Sequence, residues 1–206
     1  MRQINSICVF CGSGMGNLPA YAQMAASLGR ELALKKIELV YGGSNIGTMR
    51  ILADACLKAG GMVTGIMPHL LANREILHQG ITRVITCETM SERKEMMGRK
   101  ADAFIVLPGG VGTLDELFEA FTWLQLGIYE KPIGLLNVEG FYDDLLSFLD
   151  RATRDGFIRP EHRQNLIVDD NPARLIERLR TEPLVKPHSK WVDDLIDDTN
   201  SKLTSQ

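Results

Sequence analysis

The sequence predicts one α/β domain of three layers around a mostly parallel central sheet. Three observations carry that expectation. Short runs that are almost continuously apolar recur along the chain: ICVF, ELVY, MVTGIM, RVIT, AFIVL and PIGLL. Between them apolar residues return at helical spacing, so strands and helices alternate as in βαβ units. Glycines then cluster where three of the runs end. Because the runs do not alternate apolar with polar, each is expected to be a strand covered on both faces.

The first run, residues 7–10, is followed by Gly12, Gly14 and Gly16, and then by a helical stripe of Tyr21, Ala25, Leu28 and Leu32. The second, residues 38–41, leads through Gly42, Gly43 and Gly47 to a stripe of Met49, Leu52, Ala53 and Cys56. Two more runs, 62–67 and 83–86, precede the segment TMSERKEMMGRK, whose Thr89 and Glu92 have the spacing of a capping box. The fifth run, 103–107, ends in LPGGVGTLDE, and Leu114, Leu117, Phe118, Phe121 and Leu124 form the next stripe. After residues 132–136, Phe141, Leu145, Phe148 and Leu149 predict a helix that Gly156 closes. The domain is expected to span residues 1–180, with a polar, acidic tail over 181–206 that contains WVDDLIDDTNSK.

Composition narrows the function by exclusion. The chain has 206 residues, 45% apolar and 24% charged, with 23 Lys and Arg against 26 Asp and Glu. A net charge of -3 and the lack of a basic stripe interleaved with aromatics argue against nucleic acid as a partner. No apolar run is long enough to span a bilayer, and MRQINSICVFCGSG reaches glycine before a signal-type apolar region forms, so a cytoplasmic, membrane-free protein is expected. Cys8 and Cys11 form a CxxC, but their odd separation in a strand points them to opposite faces, and buried small hydrophobes are the better account of all four cysteines. His69, His78, His162 and His188 show no triad or metal spacing. Neither a metal nor a cofactor is expected.

In an open parallel sheet the three glycine clusters lie on one carboxyl edge and imply one ligand site. Glycine admits close approach of a ligand, and amides at a helix start suit a phosphate. GSGMG is not the dinucleotide fingerprint GxGxxG, Tyr41-Gly42-Gly43 stands where an acidic ribose ligand would be needed, and no GxxxxGK[ST] is present. Thr113 to Glu116 also reads as a second capping box, a structural account of Glu116 in which the acid favours the helix dipole. Arg93 and Lys94 could equally be a solvated pair.

The combination of MSERKEMM, LPGGVGTLDE and FTWLQLGI resembles the LONELY GUY family, the cytokinin riboside 5′-monophosphate phosphoribohydrolases, often mislabelled as lysine decarboxylases. The resemblance runs from Ile7 to about Val168. It implies a Rossmann-like homodimer that hydrolyses the N-glycosidic bond of a nucleoside 5′-monophosphate to free base and ribose 5-phosphate, with AMP a further candidate substrate. Carried over motif by motif, it implies that Arg93 and Glu116 are catalytic. It places Lys94, Gly110, Val111, Gly112, Thr113, Leu114, Asp115 and Thr122 at nucleotide-contacting positions, with Glu75 of NREILH beside them. Gly12, Ser13, Gly43 and Gly109 belong to the same glycine-lined edge. Where the family commonly shows GGGxxGLMG this chain has GGSNIGTMR, so Ser44, Thr48 and Arg50 depart from it, and Arg50 is expected to narrow the site wall or add a cation.

On that reading a glycine loop holds the 5′-phosphate while Glu116 faces the ribose, where it stabilises an oxocarbenium-like state or activates water. Arg93 positions the nucleotide, because a guanidinium does not give up its proton. No lysine stands in a context that suggests a pyridoxal phosphate site. The rival reading is a non-catalytic carrier of a nucleotide or of molybdenum cofactor, which could keep the glycine loops without Arg93 and Glu116. The apolar load of Phe118, Phe121, Trp123 and Leu124 on one helix fits either partial burial by a second subunit, as the resemblance implies, or an ordinary internal helix.

Overall fold

The structure is a computed structural model that describes residues 1–72 and 76–185. Seven strands form one sheet in the order β4-β3-β2-β1-β5-β6-β7, and every neighbouring pair is parallel. They are β1 (Ser6–Phe10), β2 (Glu38–Tyr41), β3 (Val63–Pro68), β4 (Arg83–Cys87), β5 (Ala103–Val106), β6 (Ile133–Leu136) and β7 (Leu166–Asp169). The helices are α1 (Pro19–Leu34), α2 (Gly47–Lys58), the single turn α3 (His69–Leu71), α4 (Met90–Lys100), α5 (Val111–Gln125), α6 (Asp143–Arg154), α7 (Pro160–Gln164) and α8 (Pro172–Thr181).

Strand β1 shows why the runs are apolar throughout. Its residues are all buried, and they alternate between two cores. Ile7 and Val9 join Leu28, Leu32, Leu52 and Leu175 under α1, α2 and α8. Cys8 and Phe10 join Phe104, Leu117, Phe121 and Leu149 under α5 and α6. Each such leucine taken out of water contributes about 1.5–3 kcal/mol, and the sheet needs both layers to be covered. Cys8 and Cys11 fall into opposite cores, as their spacing requires, although β1 itself ends at Phe10.

The chain leaves β1 toward β2, β3 and β4 on one side and returns as β5, β6 and β7 on the other. The ends of β1 and β5 are therefore the point where the winding reverses, and a crevice opens there. Helix α6 ends as predicted: Gly156 takes φ +83°, its N–H donates to Thr153 O, and Phe157 N–H donates to Ala152 O, which is a Schellman closure.

Four expectations need correction. A seventh strand, β7, was not among the predicted runs, because only three apolar residues precede Asp169. β4 is not covered on both faces: it is a sheet edge, with Arg83, Val84 and Thr86 exposed. In α6 only Leu149 of the predicted stripe is buried; Phe141 and Phe148 are exposed, and Tyr142 enters the core in their place. Finally, Thr113 is no N-cap. α5 starts at Val111 with Gly110 as its cap residue, so Thr113 lies inside the helix and buried, and Glu116 belongs to the second turn. The Thr89 and Glu92 box does form, with Thr89 Oγ1 accepting from Glu92 N at 3.1 Å.

Of the expected tail, residues 181–185 are described. Thr181 closes α8, and Val185 exchanges two hydrogen bonds with the Asn165 side chain. Residues 186–206 lie outside the described residues. Among the described residues no helix is long and apolar enough to cross a membrane.

Candidate active site

The cleft at the β1 and β5 ends has a volume of about 240 Å³. Its walls bring together Ser13, Arg93, Lys94, Gly110, Val111, Gly112, Thr113, Asp115 and Glu116. Gly12 and Gly109 line an adjoining chamber of about 300 Å³ that shares Ser13 and Gly110 with the cleft. Gly43 stands just behind Gly42, a wall residue. Leu114 lines neither space and packs against the core below α5. Thr122 is exposed further along α5, with its hydroxyl donating to Phe118 O at 2.7 Å. Glu75 lies outside the described residues.

Local chemistry explains the loop. β5 delivers Leu107, whose carbonyl accepts a 2.7 Å hydrogen bond from the buried Tyr142 hydroxyl and so holds the strand end in place. The chain then turns through Pro108, Gly109 and Gly110. A Cβ on Gly109 would lie 2.1 Å from Thr113 Oγ1, so the glycine is what lets the helix begin this close to the strand. The amides of Val111, Gly112 and Thr113 open α5 with no acceptor inside the helix. Together with the helix dipole they make an anion site at the cleft floor.

Arg93, in α4, is buried and its guanidinium is fixed on three sides. Nε donates to the Ile66 carbonyl at 3.0 Å, Nη1 donates to Glu116 Oε1 at 3.1 Å, and Nη2 packs against Gly42, where a Cβ would sit 2.1 Å away. The side chains of Arg93 and Glu116 are both 11% exposed. Burial raises the Glu116 carboxyl above the ordinary glutamate range, and the Arg93 guanidinium opposes that only in part. Beside them Lys94 Nζ is shared by Asp115 Oδ2 at 3.0 Å and Glu119 Oε2 at 3.1 Å. Burial alone would lower the Lys94 ammonium, but these two carboxylates outweigh it and raise it.

Sequence reasoning missed part of the wall. Val9, Cys11, Gly42, Met49 and Met90 also line the cleft. Cys11 is no nucleophile, since burial pushes its thiol up to about 12. Glu119 was missed as the second acid on Lys94; its place one helical turn after Asp115 is the signal that finds it. Of the three departures, Thr48 lines the adjoining chamber and only Arg50 sits elsewhere than expected. Thr48 is buried and donates to Gly12 O at 3.0 Å, and Ser44 is buried with its hydroxyl unpaired among the described residues. Arg50 neither narrows the cleft nor adds charge to it: it is exposed on α2 and pairs with Asp54. Among the described residues no group of three or more His, Cys, Asp or Glu side chains is placed to hold a metal ion.

This arrangement can bind a phosphate at the α5 start and hold a carboxylate of elevated pKa beside it against a guanidinium. The chain is similar to several known proteins. The family model described as "Possible lysine decarboxylase" matches residues 49–179. The Arabidopsis thaliana protein named cytokinin riboside 5′-monophosphate phosphoribohydrolase LOG2 is 46% identical over 199 residues, covering 96% of this chain and 92% of its own length. LOG7 of the same plant, with the same enzyme name, is 47% identical over 84% of this chain and 80% of its own. Among solved structures, the molybdenum cofactor binding protein of Rippkaea orientalis is 26% identical with a TM-score of 0.66, covering 88% of this chain and 98% of that one. The molybdenum cofactor carrier protein of Chlamydomonas reinhardtii, at 20% identity and a TM-score of 0.64 over 86% and 98% of the two chains, shares the fold. On the sequence matches, the chain belongs to the LONELY GUY family of cytokinin riboside 5′-monophosphate phosphoribohydrolases, the family whose model bears the lysine decarboxylase label.

Proposed function

We propose that this protein is a hydrolase that cleaves the N-glycosidic bond of a purine nucleoside 5′-monophosphate, either AMP or an N6-modified cytokinin nucleotide. The observation that carries the reading is the largely buried Arg93–Glu116 pair in the same cleft as the amides that open α5. The amides of Val111 to Thr113 hold the 5′-phosphate. Glu116, in the next turn of α5, faces the ribose. As the bond from C1′ to the base nitrogen lengthens, positive charge grows on the sugar, and a fixed carboxylate in a poorly solvated cleft stabilises it. Water then adds to C1′, the base leaves with a proton, and ribose 5-phosphate remains. Arg93 keeps its protons throughout and holds Glu116 and the nucleotide in register.

A carrier with this fold would need the glycine loops but could dispense with the Arg93–Glu116 pair. The test is direct. Purified protein is incubated with AMP and with isopentenyladenosine 5′-monophosphate, beside a Glu116→Gln variant, and free base and ribose 5-phosphate are followed by chromatography. Release by the wild type and not by the variant supports the reading. Tight nucleotide binding with no release would transfer it to the carrier.

We also propose that the enzyme is cytoplasmic and homodimeric. Phe121 and Leu124 are spent in the internal core and Trp123 packs edge-on against Tyr129, so the predicted apolar load is only partly surplus. Met90, Val111, Phe118, Leu126 and Ile128 nevertheless stand exposed on or beside α4 and α5, an apolar area that a second copy would cover. A monomeric mass in light scattering at micromolar concentration would remove this part of the proposal.

A further inference from the structure

The chain between β3 and β4 returns across the sheet edge and is fastened there by side chains that the proposed chemistry does not use. Asn45 N–H donates to Ile76 O at 2.7 Å, His78 N–H donates to Gly43 O at 2.9 Å, and Ser44 and Leu77 form an antiparallel bridge between them. This short ladder lies over the residues that follow β2. Gly43 carries φ +76°, and a Cβ on Gly65 would lie 2.6 Å from Gly43 Cα, so the ends of β2 and β3 are already in close backbone contact.

His78 ties the ladder to α2. Its ring is buried, and Nδ1 accepts the Gly80 N–H at 3.1 Å. That bond places the ring proton on Nε2, which donates to Asp54 Oδ1 at 2.9 Å. Asp54 Oδ2 in turn accepts from Arg50 Nε at 3.3 Å, one helical turn earlier. Helix α2 is anchored at its other end to the first glycine loop, through Thr48 Oγ1 to Gly12 O. Asp54 and His78 thus join α2, the β3–β4 connection and Gly43 into one rigid corner. The residue before Gly43 is Gly42, whose Cα is the surface on which the Arg93 guanidinium rests.

We propose that Asp54 and His78 are positioning residues for this site: their hydrogen bond fixes the Gly42–Gly43 wall and thereby the placement of Arg93 against Glu116. The proposal rests on the hydrolase reading for its kinetic consequence and on the hydrogen-bond ladder for its structural one. Neither residue touches the substrate. A shift of Arg93 of the order of an ångström is enough to lower turnover ~10- to 100-fold, because the electrostatic effect depends on preorganised geometry.

The experiment combines Asp54→Ala, His78→Phe and the double variant. His78→Phe keeps a ring in the buried space but removes both the donor to Asp54 and the acceptor for Gly80, and Asp54 is a half-exposed carboxylate, so both chains retain their cores. The expected result is a kcat ~10-fold or more below wild type in each single variant, KM within about twofold, and a double variant no worse than the weaker single, as for residues that act as a unit. Backbone hydrogen exchange, read in parallel, should accelerate at Asn45 and His78 in Asp54→Ala while the amides of α8 stay as they were. Wild-type kcat in both single variants, or losses that multiply in the double, would overturn the proposal. If the wild-type protein releases no base at all, the hydrolase reading falls, and exchange alone then decides the strap: faster exchange at the two amides supports it and unchanged exchange overturns it.

Discussion

Two buried carboxylates, Glu116 at the cleft and Asp169 at the end of β7, face guanidinium groups and are treated in opposite ways. Asp169 receives Arg174 Nε at 2.9 Å, Arg178 Nη1 at 3.1 Å and the Asn171 N–H at 2.9 Å. Burial would raise its pKa, but those donors outweigh burial and hold it at about 2. Glu116 has one guanidinium partner, Arg93, and there burial wins. A carboxylate that serves the fold is saturated with donors. On the proposed reading Glu116 is left short of donors so that the positive charge of the transition state supplies what is missing.

The largest expected effect separates the two roles. Glu116→Gln should lower base release ~100- to 1000-fold, the usual cost of removing one preorganised electrostatic group, while the urea midpoint stays near that of wild type. A loss of stability without a loss of rate would make Glu116 a structural residue like Asp169. Next, Arg93→Ala should cost about 3–5 kcal/mol in urea unfolding at neutral pH, since it leaves Glu116 buried without its partner. The double change with Glu116→Gln should recover part of that loss.

The pH dependences should run in opposite directions. Asp169 contributes stability that is fully present above its unfolded value of 3.8 and lost as pH falls toward about 2; the difference corresponds to about 2 kcal/mol. Asp169→Asn should remove that contribution and flatten stability across this acid window. Glu116, raised in the fold, does the reverse: stability declines as pH rises from the ordinary glutamate value through the elevated one. Turnover, which needs the ionised form, should fall on the acid side at a pH above the ordinary glutamate range. An acid limb centred at the ordinary value would mean that contacts made to the carboxylate in the bound complex offset its burial. The smallest expected effect concerns the scaffold below the loop. Tyr142→Phe strands the Leu107 carbonyl in the core and should cost about 1–3 kcal/mol, with catalysis disturbed only through the loop.

Much of this is legible in the sequence. The predicted strands inside the sheet stand where they are expected because a strand covered on both faces must be almost wholly apolar, which leaves a mark in any sequence; β4, at the edge with Arg83 and Thr86 exposed, carries only part of that mark. β7 left too faint a mark: LIV is short, and Asp169 looks like the start of a loop until Arg174 and Arg178 come back from α8 to satisfy it. The capping box at Thr113 was misread for a related reason. Spacing alone cannot tell that Gly109 and Gly110 allow α5 to start at Val111, two residues before Thr113.

By itself the sequence determined the parallel α/β fold, the glycine-lined edge and the motif residues Arg93, Lys94 and Glu116, because each depends on local periodicity or on residue types at short spacing. Only the tertiary structure decided which groups share an environment. It set Arg93 between Ile66, Gly42 and Glu116, gave Lys94 a second acid in Glu119, moved Arg50 away from the cleft and joined Asp54 to His78. The hydrogen bonds and ion pairs among these join residues up to 27 positions apart in the chain, and burial, which sets their electrostatic weight, exists only once both layers have closed on the sheet.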